Sequence, residues 1–319
     1  MKKILLFPFL FVCFPWGTTK AQIIQKNLND IEKSSVDVGF DYSSNSETYG
    51  IFNSFTGQTN ASPSIEYDGK KGMVLSMSGL FIGKDNASSL SKGSSEVDLT
   101  GGWDFNLWNS ALSISPSYSH YIFSSGAVTA KSIYSDQTEL NISGSFKWFR
   151  PSITSDYLFG AKKALNLNFS SGFNIKWNNV FANGNILEFE PAICANYGDL
   201  SYSSLIAKKL FQFLSPLRAT YGDNITIRQL EANGAISGNK SIQNQLSNLS
   251  PTATLGQIFT SSNNFQINSI ELSIPVTYTF KNMTLNSGLN IAEPMNVPAY
   301  IKRQTVVYIS AGLYYSFDL

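Results

Sequence analysis

Hydrophobic and polar residues alternate along the last segment of the chain, between residues 307 and 317. Every second position there is apolar or aromatic: Val307, Ile309, Ala311, Leu313, Tyr315 and Phe317. The positions between them are Tyr308, Ser310, Gly312, Tyr314 and Ser316. Successive side chains of a β-strand point to opposite faces, so a period of two residues indicates a strand. The pattern predicts a strand with one apolar face.

The same alternation recurs through most of the chain. It is found in the segments 96–106, 111–119, 138–149, 165–177, 186–197, 269–280 and 283–291. Each of them places leucine, isoleucine, phenylalanine, tyrosine or tryptophan on one face. Serine, asparagine, threonine, glycine or acidic residues occupy the other face. These segments predict an all-β protein.

The composition changes this prediction from a soluble sheet to a membrane barrel. Charged residues make up 14% of the chain and aromatic residues 13%, whereas typical globular domains have about 25% charged residues. No segment after the first residues has the ~20 apolar residues that a transmembrane helix needs. A chain with few charges, many aromatics and weak alternation over ~10 residues per segment is typical of a transmembrane β-barrel.

A soluble antiparallel sandwich also alternates, but two observations favour the barrel. The apolar faces of the segments carry almost no charge. Aromatic residues collect near the predicted strand ends, as they do at membrane interfaces: Trp103, Phe105, Trp148, Trp177, Tyr278, Phe280, Tyr315 and Phe317. We therefore predict an antiparallel transmembrane β-barrel over residues 35–319.

The first residues predict export. Lys2 and Lys3 precede an apolar run from 4 to 16 that is too short to span a bilayer, and small residues surround a cleavage point after Ala21. Residues 1–21 are thus interpreted as a secretory signal peptide. The alternative, a lipoprotein signal at Cys13, is disfavoured by the bulky residues before that cysteine. Residues 22–34, with apolar positions at helical spacing, are interpreted as a periplasmic lead-in.

The number of strands follows from the connections between them. Tight turns are predicted at 68–72, 106–110, 150–151 and 281–282, and longer loops at 44–60, 83–93, 124–136 and 293–304. Alternation of short and long connections fits periplasmic turns and extracellular loops. We predict about fourteen strands, with twelve as the alternative. The difference lies in residues 199–264, which form either two strands with a long outer loop or a segment folded into the lumen. Within them, LIAKKLFQF and SIQNQLSNLS fit helices as well as strands.

The final strand also resembles a known sorting element. Ser310, Gly312, Tyr315 and Phe317 follow the order polar, x, Gly, x, x, aromatic, x, aromatic. This order resembles the C-terminal signal by which the assembly machinery recognises bacterial outer-membrane barrels, except that Asp318 and Leu319 follow the last aromatic. The resemblance implies a location in the bacterial outer membrane, with membrane lipid and that machinery as partners.

The polar faces of the strands point to a function in the lumen. Alternation assigns ten acidic residues to the inward face: Asp37, Asp41, Glu66, Glu96, Asp98, Asp104, Glu139, Glu188, Glu190 and Glu271. Only two bases, Lys147 and Lys176, share that face. An electronegative interior favours a channel or transporter for small polar or cationic solutes. The alternative is that the acids pair with lysine and arginine of the loops, which would leave the middle neutral.

Other functional classes have weaker support. The formal net charge is +1, which gives no basic surface for nucleic acid. With one histidine and two cysteines, Cys13 and Cys194, we expect no metal site and no cofactor. A structural or binding barrel, with loops 44–60, 83–93, 124–136 and 220–251 contacting a partner, remains an alternative. An enzyme is not expected; the second alternative is a lipid hydrolase or acyltransferase that uses His120, which follows Ser119 near the outer end of a strand.

Overall fold

The structure is a computed structural model, and it describes residues 34–44, 47–48, 51–52, 59–82, 95–108, 110–123, 134–160, 163–199, 208–236, 246, 250–259, 265–296 and 305–319. The predicted signal peptide, 1–21, lies outside these residues. All of the predicted lead-in except Ser34 also lies outside them.

Strands account for most of the described residues. They are β1 (Ser35–Ser43), β2 (Glu47–Thr48), β3 (Ile51–Phe52), β4 (Asn60–Asp68), β5 (Met73–Ile82), β6 (Ser95–Trp103), β7 (Phe105–Leu107), β8 (Leu112–Phe123) and β9 (Tyr134–Gly144). They continue with β10 (Phe149–Gly160), β11 (Ala164–Phe173), β12 (Ile175–Asn178), β13 (Ile186–Phe189), β14 (Ala192–Gly198), β15 (Gln266–Phe280), β16 (Met283–Pro294) and β17 (Val306–Asp318).

Twelve of these strands close into an antiparallel barrel within the described residues. The order around the barrel is β1, β4, β5, β6, β8, β9, β10, β11, β14, β15, β16 and β17, and β17 returns to β1. The closing pair runs from Ser35 opposite Asp318 to Ser43 opposite Ser310. The predicted fold class is confirmed with the lower of the two strand counts.

Three short strands extend the barrel at one end. β7 continues β6 and pairs with β8, while β12 and β13 form a hairpin that continues β11 and β14. At this end the strands are joined by short turns, at 69–72, 108–111, 145–148, 179–185 and 281–282. The turn predicted at 150–151 is wrong, because β10 already begins at Phe149 and the chain reverses just before it.

The opposite end of the barrel carries most of the longer connections. They span 44–59, 83–94, 124–133, 199–265 and 295–305 between the strands that the structure describes. In outer-membrane barrels the short turns face the periplasm and the long loops face outward. We therefore call these two ends the periplasmic end and the outer end.

The two faces of the barrel wall differ in polarity. Residues with exposed apolar side chains point outward all around the barrel, for example Phe40, Met77, Ile153, Leu272 and Leu313. Their neighbours in sequence are largely buried, polar and inward, for example Ser62, Asp98, Asn168, Ser273 and Asn290. An apolar exterior around a polar interior is the arrangement that a bilayer requires of a closed barrel.

Residues 199–264 do not add strands to the barrel in their described part. They contain α1 (Lys208–Tyr221), α2 (Ile227–Ala232) and α3 (Leu255–Phe259). The prediction of fourteen strands is therefore too high, and the helical possibility for this segment is the one observed. Among the described residues, no helix has the length and apolar character to cross a membrane.

The helices form a small unit with a core of its own, which we call the helical unit (residues 213–236 and 250–259). Its loops pair through backbone hydrogen bonds from Ile227 N to Ala253 O and from Leu255 N to Ile225 O, each 3.0 Å. Thr226 and Gln229 form a capping box at the start of α2, which satisfies backbone N–H groups that the helix leaves unpaired. The fully buried side chains are Leu214, Leu230, Leu255 and Ile258, with Ile227 and Ile236 almost fully buried.

Candidate functional site: the polar lumen

Carboxylates line the lumen on one side of the barrel, on β4, β6, β9 and β10. Glu66, Glu96, Asp98 and Asp156 are buried inside the wall, and Glu96 is only 1% exposed. Glu139 lies directly opposite Asp156 in the pairing of β9 with β10. We call these five residues the acidic belt.

An amide holds part of the acidic belt together. The Gln137 side-chain NH2 donates to Asp156 Oδ1 and, over 3.3 Å, to Glu139 Oε2. The Gln137 carbonyl oxygen accepts from the Tyr121 hydroxyl, and Tyr121 lies opposite Asp98. Carboxylates placed side by side repel each other, so donors between them stabilise their charged forms.

Two further lumen acids, Glu271 on β15 and Asp41 on β1, each accept a hydrogen bond from a tyrosine of β17. The Tyr308 hydroxyl donates to Glu271 Oε1 over 2.6 Å, and Glu271 is fully buried. The Tyr314 hydroxyl donates to Asp41 Oδ1. Hydrogen bonds to charged acceptors are stronger than neutral ones, so both carboxylates are held in place by the closing strand.

In the described strands, the inward-facing bases lie at the periplasmic end. Lys176 Nζ lies 3.1 Å from Glu188 Oε1, its partner across the β12–β13 hairpin. The Asn174 side-chain NH2 donates to Glu190 Oε1. Arg150, at the start of β10, and Lys176 both act electrostatically on Glu190. Acids and bases are therefore balanced at this end of the barrel.

The structure also places the remaining sequence-predicted lumen residues. Asp37 and Asp41 lie on the inward face of β1, as their pairing with inward residues of β4 shows. Asp104 lies outside β6, between β6 and β7, where its N–H donates to Gly72 O over 2.7 Å. Its neighbours Trp103 and Phe105 are both exposed, as the alternation along this segment predicts. Lys147 lies in the turn before β10 with a φ of 54° rather than on a strand face.

Arg150 and Asp156 are lumen residues that the sequence analysis missed. The Arg-Pro pair at 150–151 predicts a turn, and this obscures the period-two pattern of residues 149–160. In that segment every second residue from Arg150 to Leu158 faces inward. Reading the same period-two pattern through this segment would have found both.

The four residues of the assembly-signal resemblance lie on two faces of β17. Ser310 and Gly312 face inward, opposite Ser43 and Asp41 of β1. Tyr315 and Phe317 are exposed on the outward face near the periplasmic end, with ring centroids 4.6 Å apart. The aromatic pair therefore belongs to the girdle at that membrane boundary.

Comparisons with known proteins do not assign the chain to a family within the outer-membrane barrels. No protein-family model and no curated protein matches the sequence. Among solved structures, the KdgM porin is similar over 88% of this chain and 99% of its own, with 10% identity and a TM-score of 0.43. The NanC porin is similar over 89% and 100%, with 10% identity and a TM-score of 0.42. LpxR from Salmonella typhimurium is similar over 88% and 99%, with 8% identity and a TM-score of 0.44.

These likenesses are distant, and the class of the protein follows from its own architecture. Twelve described strands close into a barrel, its outer surface is apolar and its interior is polar. This combination leaves no unpaired strand edge in the hydrocarbon region. The chain is a β-barrel protein of the bacterial outer membrane.

Proposed function

We propose that the protein is a channel for small polar or cationic solutes across the outer membrane. The observation that supports the proposal is the acidic belt, five carboxylates that face inward from four strands of the barrel. In the described strands the inward bases are Arg150 and Lys176, and both lie at the periplasmic end. A low-dielectric wall focuses the field of such a cluster and concentrates cations in the lumen.

The size of the barrel supports small solutes. Barrels of eight strands are filled by their side chains, whereas barrels of 16–18 strands leave a wide aqueous channel. Twelve strands lie between these limits. Four of the five belt acids are nearly covered by their neighbours, and Glu139 is partly exposed.

Reversal-potential measurements in planar bilayers test the proposal. Across a salt gradient the purified protein should pass cations in preference to anions. Replacing three belt acids, by Glu96→Gln, Asp98→Asn and Glu139→Gln, should move the cation-to-anion permeability ratio toward one. The preference should also shrink at high salt, because the Debye length falls from ~10 Å at 0.1 M to ~3 Å at 1 M.

A matched control is Glu231→Gln, which removes one acid from the exposed surface of α2. It should leave the permeability ratio unchanged. Absence of conductance, or a preference for anions, would contradict the proposal.

A second candidate function is a binding barrel that presents its outer loops to a partner. The observation in its favour is the helical unit, whose buried core and capped helices give a preformed surface rather than an adaptable loop. Preformed surfaces bind with a smaller entropic cost than flexible ones. A barrel that inserts and folds normally but conducts no ions would favour this candidate.

A further inference from the structure

The outward face of the barrel carries a polar cluster at its outer end. Among the described strand residues, the outward-facing acids and bases, tyrosine aside, are His120, Asp136 and Glu293. A charge on the lipid-facing side of a barrel is destabilising to a degree that depends on depth. Ionisable residues in such places are rare and mark functional sites by default. His120 and Asp136 lie next to each other, which makes them the cluster to explain.

Three donors converge on the Asp136 carboxylate. His120, opposite Asp136 in the pairing of β8 with β9, has its Nδ1 2.9 Å from Oδ1. The Tyr118 hydroxyl, two residues along the same face of β8, donates to Oδ1 over 2.5 Å. The Ser135 hydroxyl donates to Oδ2. Three side chains from two strands therefore fix the position of one carboxylate.

The contact with Asp136 also sets the state of the histidine ring. An ionised carboxylate only accepts hydrogen bonds, so Nδ1 of His120 carries the proton and donates it to Asp136. In the neutral ring, Nε2 then holds a lone pair and can accept a proton. The His120 side chain is 47% exposed. The arrangement is that of a histidine base oriented by an aspartate.

The surroundings place this pair at the level of lipid headgroups. His120 lies three residues before Phe123, where β8 ends, which corresponds to about 10 Å along the strand. The Tyr118 and Phe159 ring centroids are 6.5 Å apart, and Phe159 stacks on Tyr157 at 6.0 Å. Amphipathic aromatic rings of this kind mark the membrane–water interface. Acyl-ester bonds of the outer leaflet lie in the same zone.

We propose that His120 and Asp136 form a hydrolytic site for acyl esters of outer-leaflet lipids. Nε2 of His120 takes a proton from a water molecule while the water oxygen bonds to the ester carbonyl carbon. The bond between that carbon and the alcohol oxygen then breaks, and the leaving oxygen takes the proton from Nε2. The products are a fatty acid and the lipid alcohol, and the histidine returns to its initial state.

The neighbouring side chains have positioning roles in this reaction. Asp136 keeps the required tautomer and stabilises the imidazolium that forms when Nε2 is protonated. Tyr118 and Ser135 hold Asp136 in the orientation that faces His120. The proposal is independent of the lumen, because His120 and Asp136 lie on the outward face of the wall and the acidic belt lies on the inward face.

The test measures release of fluorescent fatty acid from phospholipid vesicles that contain the purified full-length protein and a phospholipid with a fluorogenic acyl ester. The wild-type protein should release it faster than protein-free vesicles. His120→Ala should lower the rate by ~100-fold or more, the range expected for loss of a general base. Asp136→Asn should lower kcat with KM unchanged, because the residue acts on the base and not on lipid binding.

Two controls separate chemistry from folding. Ser287→Ala removes another outward-facing hydroxyl, on β16 and exposed, and should keep the wild-type rate. Every variant is compared for heat-modifiable migration on gels, and His120→Gln replaces the alanine variant if the latter does not assemble. A wild-type rate equal to that of protein-free vesicles, or an unchanged rate in a folded His120 variant, would overturn the proposal. The variant with the three belt acids replaced should hydrolyse lipid at the wild-type rate. Failure of the channel proposal is therefore distinguishable from failure of the hydrolase proposal.

Discussion

Gly39, on the inward face of β1, gives a test of how the barrel closes. Gly39 lies opposite Tyr314 of β17, and the Tyr314 ring covers it. A Cβ atom added at Gly39 would lie 2.5 Å from Cε1 of that ring, closer still to Cδ1, and 2.9 Å from Ser64 Oγ. Carbon atoms pack at about 3.5–4.0 Å. The Gly39→Ala substitution therefore displaces the ring by about 1 Å or more.

The cost of that displacement has two parts. Over-packing of a well-packed region costs about 1–3 kcal/mol. The shifted ring also loses the hydrogen bond from its hydroxyl to Asp41, and hydrogen bonds to charged groups contribute about 1.5–3 kcal/mol. Alanine restricts the unfolded chain more than glycine does, and this offsets about 0.4–1 kcal/mol of the destabilisation. We expect the free energy of unfolding to fall by roughly 2–5 kcal/mol.

Equilibrium unfolding in guanidinium chloride, followed by tryptophan fluorescence in lipid vesicles, measures this loss. Gly101→Ala is the matched control, because its added Cβ would meet only Leu75 Cδ2, at an ordinary 3.5 Å. It should be neutral or stabilising by less than about 1 kcal/mol.

A double-mutant cycle isolates the contact itself. In a Tyr314→Ala background the ring is gone, so Gly39→Ala should lower the free energy of unfolding by less than about 1 kcal/mol. The interaction free energy between the two positions should then be large, as for residues in contact. An equal cost of Gly39→Ala with and without the Tyr314 ring would refute the reasoning.

Three other predictions concern β17 and the helical unit. Tyr315→Ala combined with Phe317→Ala should lower the amount of folded barrel, measured by heat-modifiable migration, far more than two aromatic losses in a turn; normal amounts would argue against a recognition role. An epitope tag inserted after Gly234 should bind antibody on intact cells, whereas binding only after lysis would reverse the topology. The Arg218 guanidinium, 2.5 Å from Asp223, holds the pKa of that carboxyl below its usual value of 3.8. The pair's contribution is present above that value and is lost as the pH falls through the lowered pKa. Amide hydrogen exchange in the helical unit, corrected for the intrinsic exchange rate, should accelerate as the pH falls below 3.8 in the wild-type protein. It should not accelerate in Asp223→Asn.

Much of the barrel could be predicted from the chain because a strand shows its two faces directly in sequence. The outward faces of β6, β15 and β17 have the polarity that their alternation indicates. The same pattern placed Glu96 and Asp98 in β6 with the orientation that the structure shows. Alternation is a local property, so these assignments needed no knowledge of the neighbours.

What the sequence could not predict depends on which residues meet across strands. Asp136 and His120 are separated by the 124–133 connection, whose length does not fix the register of β8 against β9. The prediction of fourteen strands is too high because residues 199–264 contain apolar residues that fit a strand equally well. In the structure, residues such as Leu230 and Ile258 pack in a helical core and not on a strand face. Arg150 was misplaced because Arg-Pro was interpreted as a turn, although an inward arginine beside an outward proline fits the start of a strand equally well.

The helical unit has a consequence for the order of assembly. It lies in the connection 199–265 between β14 and β15 at the outer end, so this whole connection must cross the membrane during insertion. Its buried core and paired loops make a body wider than an extended chain, while the lumen of the closed barrel is lined by covered side chains. The segment therefore has to cross unfolded, before β17 seals against β1, and acquire its helices after crossing. Mutations that strengthen the helical unit on its own should then slow insertion rather than help it.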